Sequence, residues 1–212
     1  MYIPPHFRED RLEVLHDLIR QNSLATLVTL GEGGLIANHV PLIVDPHPAP
    51  YGTLRGHLSR ANVQWSESVP GKLALAIFQG PSTYITPSWY PSKSETGRVV
   101  PTYNYVAVHA HGELRTYDDP ALLEQHLRKL TAAHEAPFTE KWTLDDAPAN
   151  YIEGLLKAIV GIEIPISKLE GKWKVSQNRP QKDRAGVTAG LRSTSDPVCE
   201  HMAKLIEGSE GH

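Results

Sequence analysis

Between Gly56 and Gly112 the chain crowds together side chains suited to holding a flat, phosphorylated small molecule. The window opens on Gly56-His57-Leu58-Ser59-Arg60-Ala61-Asn62-Val63-Gln64-Trp65, continues through Thr83-Tyr84-Ile85-Thr86-Pro87-Ser88-Trp89-Tyr90, and closes on Val100-Pro101-Thr102-Tyr103-Asn104-Tyr105. Ser59 to Asn62 fall where a strand gives way to a helical turn. A hydroxyl, a guanidinium fork and the first free N–H groups of a turn are what a phosphate needs. The same four residues also read as a helix cap beside a surface arginine. Tyr84, Trp89, Tyr90, Tyr103 and Tyr105 supply ring faces, with Thr102 and Asn104 as neighbouring donors and acceptors. On barrel strands such aromatics serve equally well as core. Pro81, Pro87, Pro91 and Pro101 stiffen the intervening turns, which suits a preorganised pocket or a plain loop.

Other constellations are weaker. His109 and His111 lie two apart on one strand face, but no cysteine or spaced carboxylate completes a ligand set, so they read as hydrogen-bonded structural histidines and no metal is expected. Gly31-Glu32-Gly33-Gly34 lacks the Lys-Ser/Thr helix of a phosphate loop and reads as a hairpin turn. No Ser-His-Asp order or paired-carboxylate pattern supports a hydrolase. Lys172-Trp173-Lys174-Val175-Ser176-Gln177-Asn178-Arg179 joins cations, an indole and amides in one short stretch. It can reach a ligand or nucleic acid, or form a surface turn.

These residues need elements to position them. Leu12, Leu15, Leu18 and Ile19 give an amphipathic helix over residues 10–21. Strands follow over 23–30 and 35–44 as a hairpin, then over 51–58, a short helical turn over 59–67, an apolar strand over 72–79 and a separate one over 83–86. The stretch from Pro87 to Gly97 reads as loop. The longest strand is expected over 102–117, with Tyr103, Tyr105, Ala107, His109 and His111 on one face and Asn104, Val106, Val108 and Ala110 on the other. Asp119-Pro120 and Asp196-Pro197 announce helices, a shorter helix lies near 151–156, and a strand runs over 158–167 whose Pro165 suggests an edge or an end. Short connections exclude a parallel doubly wound sheet, so an antiparallel barrel with flanking helices is expected, in one domain over 1–212 with a helical and basic extension from about 168.

At 212 residues, 40% hydrophobic and 21% charged, the chain can bury a real core and is not disordered by composition. The lone Cys199 fits a reducing compartment, and no apolar run suits a membrane span or signal peptide, so a cytoplasmic protein is expected. A net charge of −3 argues against a globally basic nucleic-acid binder, although Lys168 to Arg192 carries seven basic residues against two acids.

Taken together, the chain resembles the PaiB-type family of FMN-binding negative transcriptional regulators, members of the flavin-binding split-barrel superfamily. The resemblance is carried by Met1-Tyr2-Ile3-Pro4-Pro5-His6-Phe7, Ala37-Asn38-His39-Val40-Pro41, Gly56 to Trp65, Tyr84 to Tyr90, Val100 to Tyr105, Gly171 to Lys174 and Ser176-Gln177-Asn178. It departs from the pattern at Val63, where proline is common, and at Tyr103, where tryptophan is common. The resemblance implies a homodimeric, Greek-key-like split barrel binding FMN between subunits. The phosphate would meet Ser59 and Arg60, with His57 and Asn62 in the same motif, and the ring would lie against Asn38, His39 and Val40. Pro101, Thr102, Tyr103, Asn104, Trp173, Gln177 and Asn178 would complete the site, from either protomer. A regulatory role follows from the resemblance alone. No helix-turn-helix is visible, so any DNA contact falls to the basic C-terminal segment. The alternatives are a flavin-dependent oxidoreductase or haem-degrading enzyme, with Trp89, Tyr90 and Tyr103 lining an open face and His109 or His111 as proton donor or iron ligand, and a flavin-free dimeric interaction module.

Overall fold

The computed structural model describes residues 1–48 and 50–209. The elements are β1 (Arg8–Glu9), α1 (Leu12–Gln21), β2 (Leu24–Gly31), β3 (Gly34–Pro41), β4 (Ile43–Asp45), β5 (Thr53–Ser59), α2 (Gln64–Glu67) and β6 (Leu73–Ile85). They continue with α3 (Ser92–Thr96), β7 (Thr102–Glu113), β8 (Arg115–Tyr117), α4 (Pro120–Glu135), α5 (Ala149–Leu156), β9 (Ile159–Lys174), α6 (Gln181–Ser193) and α7 (Pro197–Gly208). Strands order as β3-β2-β6-β7-β9-β5-β4, with β1 and β8 also on β9. The pairings of β2 with β3 and β6, and of β9 with β1, β5 and β8, are antiparallel, so a mainly antiparallel sheet with flanking helices is observed. No described helix is long and apolar enough to cross a membrane.

The chain divides into two compact units. One comprises Met1–Leu18, Gln79–Val108 and the chain from Glu170; the other comprises Ile19–Phe78 and His109–Leu169. In the second unit the β2–β3 hairpin pairs from Leu24↔Pro41 to Gly31↔Gly34, the turn the glycines announce. Leu27, Leu42, Leu54, Leu58, Phe78, Ile162 and Ile164 form its core. Asp119 caps α4 by accepting from the Ala121 and Leu122 N–H groups at 2.8 and 3.0 Å, as the Asp-Pro signal predicts.

In the first unit, alternate residues of β7 turn inward. Asn104, Val106 and Val108 are buried, whereas Tyr103 is exposed. Helices α6 and α7 pack together through Val187, Leu191, Met202 and Ile206. Asp196 caps α7 at Val198 N, 2.8 Å away. Trp89 lies against a glycine face of α6: a Cβ at Gly190 would stand 2.4 Å from its ring, and one at Gly186 2.1 Å from its carbonyl oxygen.

Four local expectations differ from the structure. Residues 73–85 form one strand, not two, and the buried positions change phase within it, from Ala74, Ala76 and Phe78 to Ile85. The expected loop after Pro87 holds a 3-10 turn over Pro87–Trp89 and α3. β9 is longer than β7 and internal to the sheet, and Pro165 ends its pairing with β5 instead of marking an edge. Helix α6 went unforeseen because its charged, glycine-containing sequence carries only a narrow apolar stripe, the one that α7 and Trp89 cover.

Candidate functional site

The sequence-predicted residues fall into two groups, one in each unit. In the first unit, the start of β7 and the end of β9 gather Thr102, Tyr103, Asn104, Trp173, Gln177 and Asn178. The turn after β9 is locked by Gln177, whose amide donates to the Trp173 carbonyl at 2.6 Å and accepts from the Val175 N–H at 2.8 Å. That lock holds Ser176 at a φ of 66°, a left-handed conformation uncommon for serine. The buried Ser176 hydroxyl accepts from Asn104 Nδ2 at 2.9 Å, while Asn104 Oδ1 is buried without a hydrogen-bond partner. An orphaned buried carbonyl oxygen costs about 1–3 kcal/mol unless something donates to it.

Three cations surround this amide's strand and turn. Lys174 Nζ donates to Thr102 Oγ1 and, at 2.7 Å, to the Tyr103 carbonyl. Lys172 is buried; its Nζ donates to the Tyr2 carbonyl at 3.1 Å and lies 5.1 Å from the centre of the Tyr105 ring. Arg179 stacks over Tyr90 at 4.8 Å. No carboxylate of the described residues pairs with any of the three. Burial, then repulsion from Lys172 and Arg179, holds the Lys174 ammonium below its ordinary pKa. Beside them Tyr84 and Tyr103 meet edge to face at 5.8 Å, both exposed, as are Pro101 and Asn178. Trp173 is half-buried. Exposed rings, uncompensated cations and one buried acceptor suit a planar anionic ligand with an N–H to donate.

The second unit is organised by a residue that sequence reasoning did not single out. Gln64 is fully buried and donates to the Leu27 carbonyl, Thr29 Oγ1 and the Ile36 carbonyl at 3.0, 3.2 and 3.2 Å. Its oxygen accepts from Asn38 at 3.0 Å, and its backbone N–H donates to Asn62 Oδ1 at 3.0 Å. Asn38 and Asn62 are thereby fixed, His39 is exposed on β3 and Val40 is buried. Ser59 Oγ accepts from the Ala61 N–H at 3.3 Å. The Arg60 guanidinium donates to Asp118 at 2.8 Å and to the Lys157 and Ile159 carbonyls at 3.1 and 2.9 Å. Here Ser59, Arg60 and Asn62 form a capped turn tied to the α5–β9 corner, with Arg60 beside a hollow of about 360 Å³ that Leu123 and Leu156 line. His57 Nδ1 faces His126 Nε2 at 3.2 Å.

A family model described as a putative FMN-binding domain matches residues 1–168. The chain belongs to that family. It is 32% identical over 241 residues to protein AN0679 of Emericella nidulans, covering 97% of this chain and 96% of that one. It is also 32% identical over 207 residues to the protease synthase and sporulation protein PAI 2 of Bacillus subtilis, covering 98% and 97%. The motif resemblance to PaiB-type proteins is therefore borne out. In structure it is similar to an FAD- and haem-binding protein of Mycobacterium smegmatis, at a TM-score of 0.57 and 15% identity over 86% of this chain and 80% of that one. The fold is that of the flavin-binding split barrels, as expected.

FMN is the family's cofactor, and the residues present fit it. Asn104 Oδ1 is an unpartnered acceptor that a ring imide N–H would satisfy, and Lys172, Lys174 and Arg179 would offer positive charge to carbonyl or phosphate oxygens. The match to residues 1–168 takes in Asn38 to Asn104 of the predicted site and stops short of Trp173 to Asn178. Gln64, Lys172, Lys174 and Ser176 all lie in motifs that carried the resemblance. Nothing in their local sequence distinguishes a buried glutamine from an exposed one.

Proposed function

We propose that this chain is a homodimeric FMN-binding protein acting as a negative regulator of transcription, with flavin held by the Thr102–Asn104 and Lys172–Arg179 segments. The observation that carries the site is the unpartnered Asn104 Oδ1 beside three cations that no carboxylate neutralises. Exposed Tyr103 and Tyr84 supply surface for a ring or for a second protomer. FMN, when bound, supplies one- and two-electron chemistry. The chain's own part is to donate from Lys174 and Arg179, accept at Asn104 and shield one ring face. The regulatory role rests on the motif resemblance to PaiB-type regulators; the relative PAI 2 is named for protease synthesis and sporulation.

The basic C-terminal segment has less to offer DNA than its charge count suggests. Lys182 pairs with Glu95, Arg192 with Glu200 and Glu207, and Arg184 donates to the Ile206 carbonyl and Ser209. Lys168 aside, the cations left over are the three assigned to flavin, so DNA and FMN would compete for them.

The test combines the absorbance spectrum of the purified protein, its mass in solution and an FMN titration. Flavin absorbance with the mass of two chains is expected. Lys174→Met should weaken FMN roughly 10- to 100-fold, the loss of one charge-assisted hydrogen bond of about 1.5–3 kcal/mol. Arg60→Ala should weaken it less, because that guanidinium already serves Asp118 and two carbonyls. The reverse order would return the phosphate to Arg60. NAD(P)H oxidation, or a Soret band with haem, would replace the regulator with an enzyme.

A further inference from the structure

A separate cavity of about 220 Å³ lies in the second unit, walled by β4, β5, β8, β9 and α4. Its polar wall carries Arg55, Gln125, His126, Lys129 and Glu163. Arg55 and Glu163 are joined at 2.7 Å, so the carboxylate is already neutralised. Asp45, also on the rim, accepts from the His47 N–H at 3.1 Å. Lys129 has no partner among the described residues.

The apolar wall is Tyr117 and Leu122. The Tyr117 ring lies directly on Gly161 of β9, where a Cβ would come within 2.3 Å of it. Glycine at that strand position lets the ring lie flat as a fixed floor. His126 is 97% buried, its Nε2 facing His57 Nδ1, and its own Nδ1 has no partner.

Arg55 and Lys129 act on His126, although Asp45 and Glu163 balance them in formal charge around the cavity. Burial, His57, Arg55 and Lys129, in that order, all push the His126 pKa down, to about 4. His126 is therefore a neutral imidazole at neutral pH, with one nitrogen unsatisfied beside an unpaired lysine. At about 220 Å³ the cavity lies below the roughly 300–1,000 Å³ of pockets for drug-sized ligands, so it suits a molecule smaller than a flavin. The pieces complement one ligand: a carboxylate for Lys129 and the open edge of Arg55, and a flat apolar body for the Tyr117 ring.

We propose that this cavity is a binding site for a small organic carboxylate with an aromatic or branched apolar body, distinct from the flavin site. The proposal stands on the geometry of the second unit and does not need the flavin assignment. A carboxylate bound at Lys129 and Arg55 offsets the repulsion those cations exert on His126, so His126 becomes easier to protonate.

The probe is benzoate, titrated into full-length protein saturated with FMN and followed by two-dimensional NMR of the histidine rings. Saturable shifts at His126 and His57 are expected, with the His126 titration moving upward as benzoate binds. Lys129→Gln should weaken benzoate at least fivefold without changing the urea midpoint, because Lys129 is exposed and unpaired; Gln125→Ala gives an independent second weakening. Inorganic phosphate should bind more weakly, having no apolar body. Equal affinity for phosphate would overturn the carboxylate-and-ring assignment, shifts absent from His126 with and without FMN would overturn the site, and benzoate binding seen in FMN-free protein but lost on saturation with FMN would merge it with the flavin site and end the claim of distinctness. Absence of flavin absorbance with benzoate binding intact would count against the flavin reading alone.

Discussion

Acid should destabilise this protein through His126, by an amount the structure allows to be worked out. In the folded chain its pKa lies at about 4, against an ordinary 6.5, first because the ring is buried and then because His57, Arg55 and Lys129 surround it. Between those two values the unfolded chain binds a proton that the folded chain refuses, so stability rises with pH across the window and is complete above 6.5. Falling from pH 7.5 to 5.0, the single site costs about 2 kcal/mol, from 1.36 kcal/mol per tenfold difference in proton binding. Burial lowers the His57 pKa as well, which acts in the same direction. With a urea slope of about 2 kcal/mol/M the midpoint should fall by about 1 M. The assay is urea unfolding at both pH values for the wild type and His126→Phe. Phenylalanine fills the same space without titrating, so the variant should lose about 2 kcal/mol of the pH dependence, whatever its stability at pH 7.5. A variant as acid-sensitive as the wild type, or an NMR titration placing His126 near 6.5, would refute the reasoning.

Two further outcomes test the packing that holds the candidate sites. Gln64→Leu should cost about 2–4 kcal/mol and lower Tm by roughly 5–12 °C, since it leaves Asn38 Nδ2 and the acceptors on β2 and β3 without their buried partner. An unchanged Tm would show that the network does not matter. Gly190→Ala should destabilise by about 1–3 kcal/mol despite the helix preference of alanine, because the new methyl meets the Trp89 ring at 2.4 Å. Gly154→Ala in α5, where a Cβ meets nothing within 4 Å, should instead stabilise by up to about 1 kcal/mol, and equal effects at the two glycines would remove the steric argument.

Much of the fold was legible where the deciding interaction is local. The Gly-rich turn set the β2–β3 hairpin, the two Asp-Pro pairs set the starts of α4 and α7, and alternation along β7 correctly sorted Asn104, Val106 and Val108 from Tyr103. Proline misled where tertiary pairing overrode it. Pro81, read as stiffening a turn, lies inside β6, and Pro165 lies inside the sheet, while the glycines of α6, a helix the sequence did not announce, are places for Trp89 to lie. The candidate site was legible as a set of motifs but not as a set of contacts.

By itself the sequence determined the antiparallel architecture, the positions of most turns and caps, and the family, because each depends on residues a few positions apart or on ordered motifs. Only the tertiary structure decided which side chains remain available. Arg60 pairs with Asp118, 58 residues away, His57 faces His126 across 69, and Asn104 and Ser176 meet across 72, which leaves one amide oxygen unpaired. A side chain's residue type fixes what it can bind, but burial and partners drawn from distant parts of the chain fix whether it is free to do so.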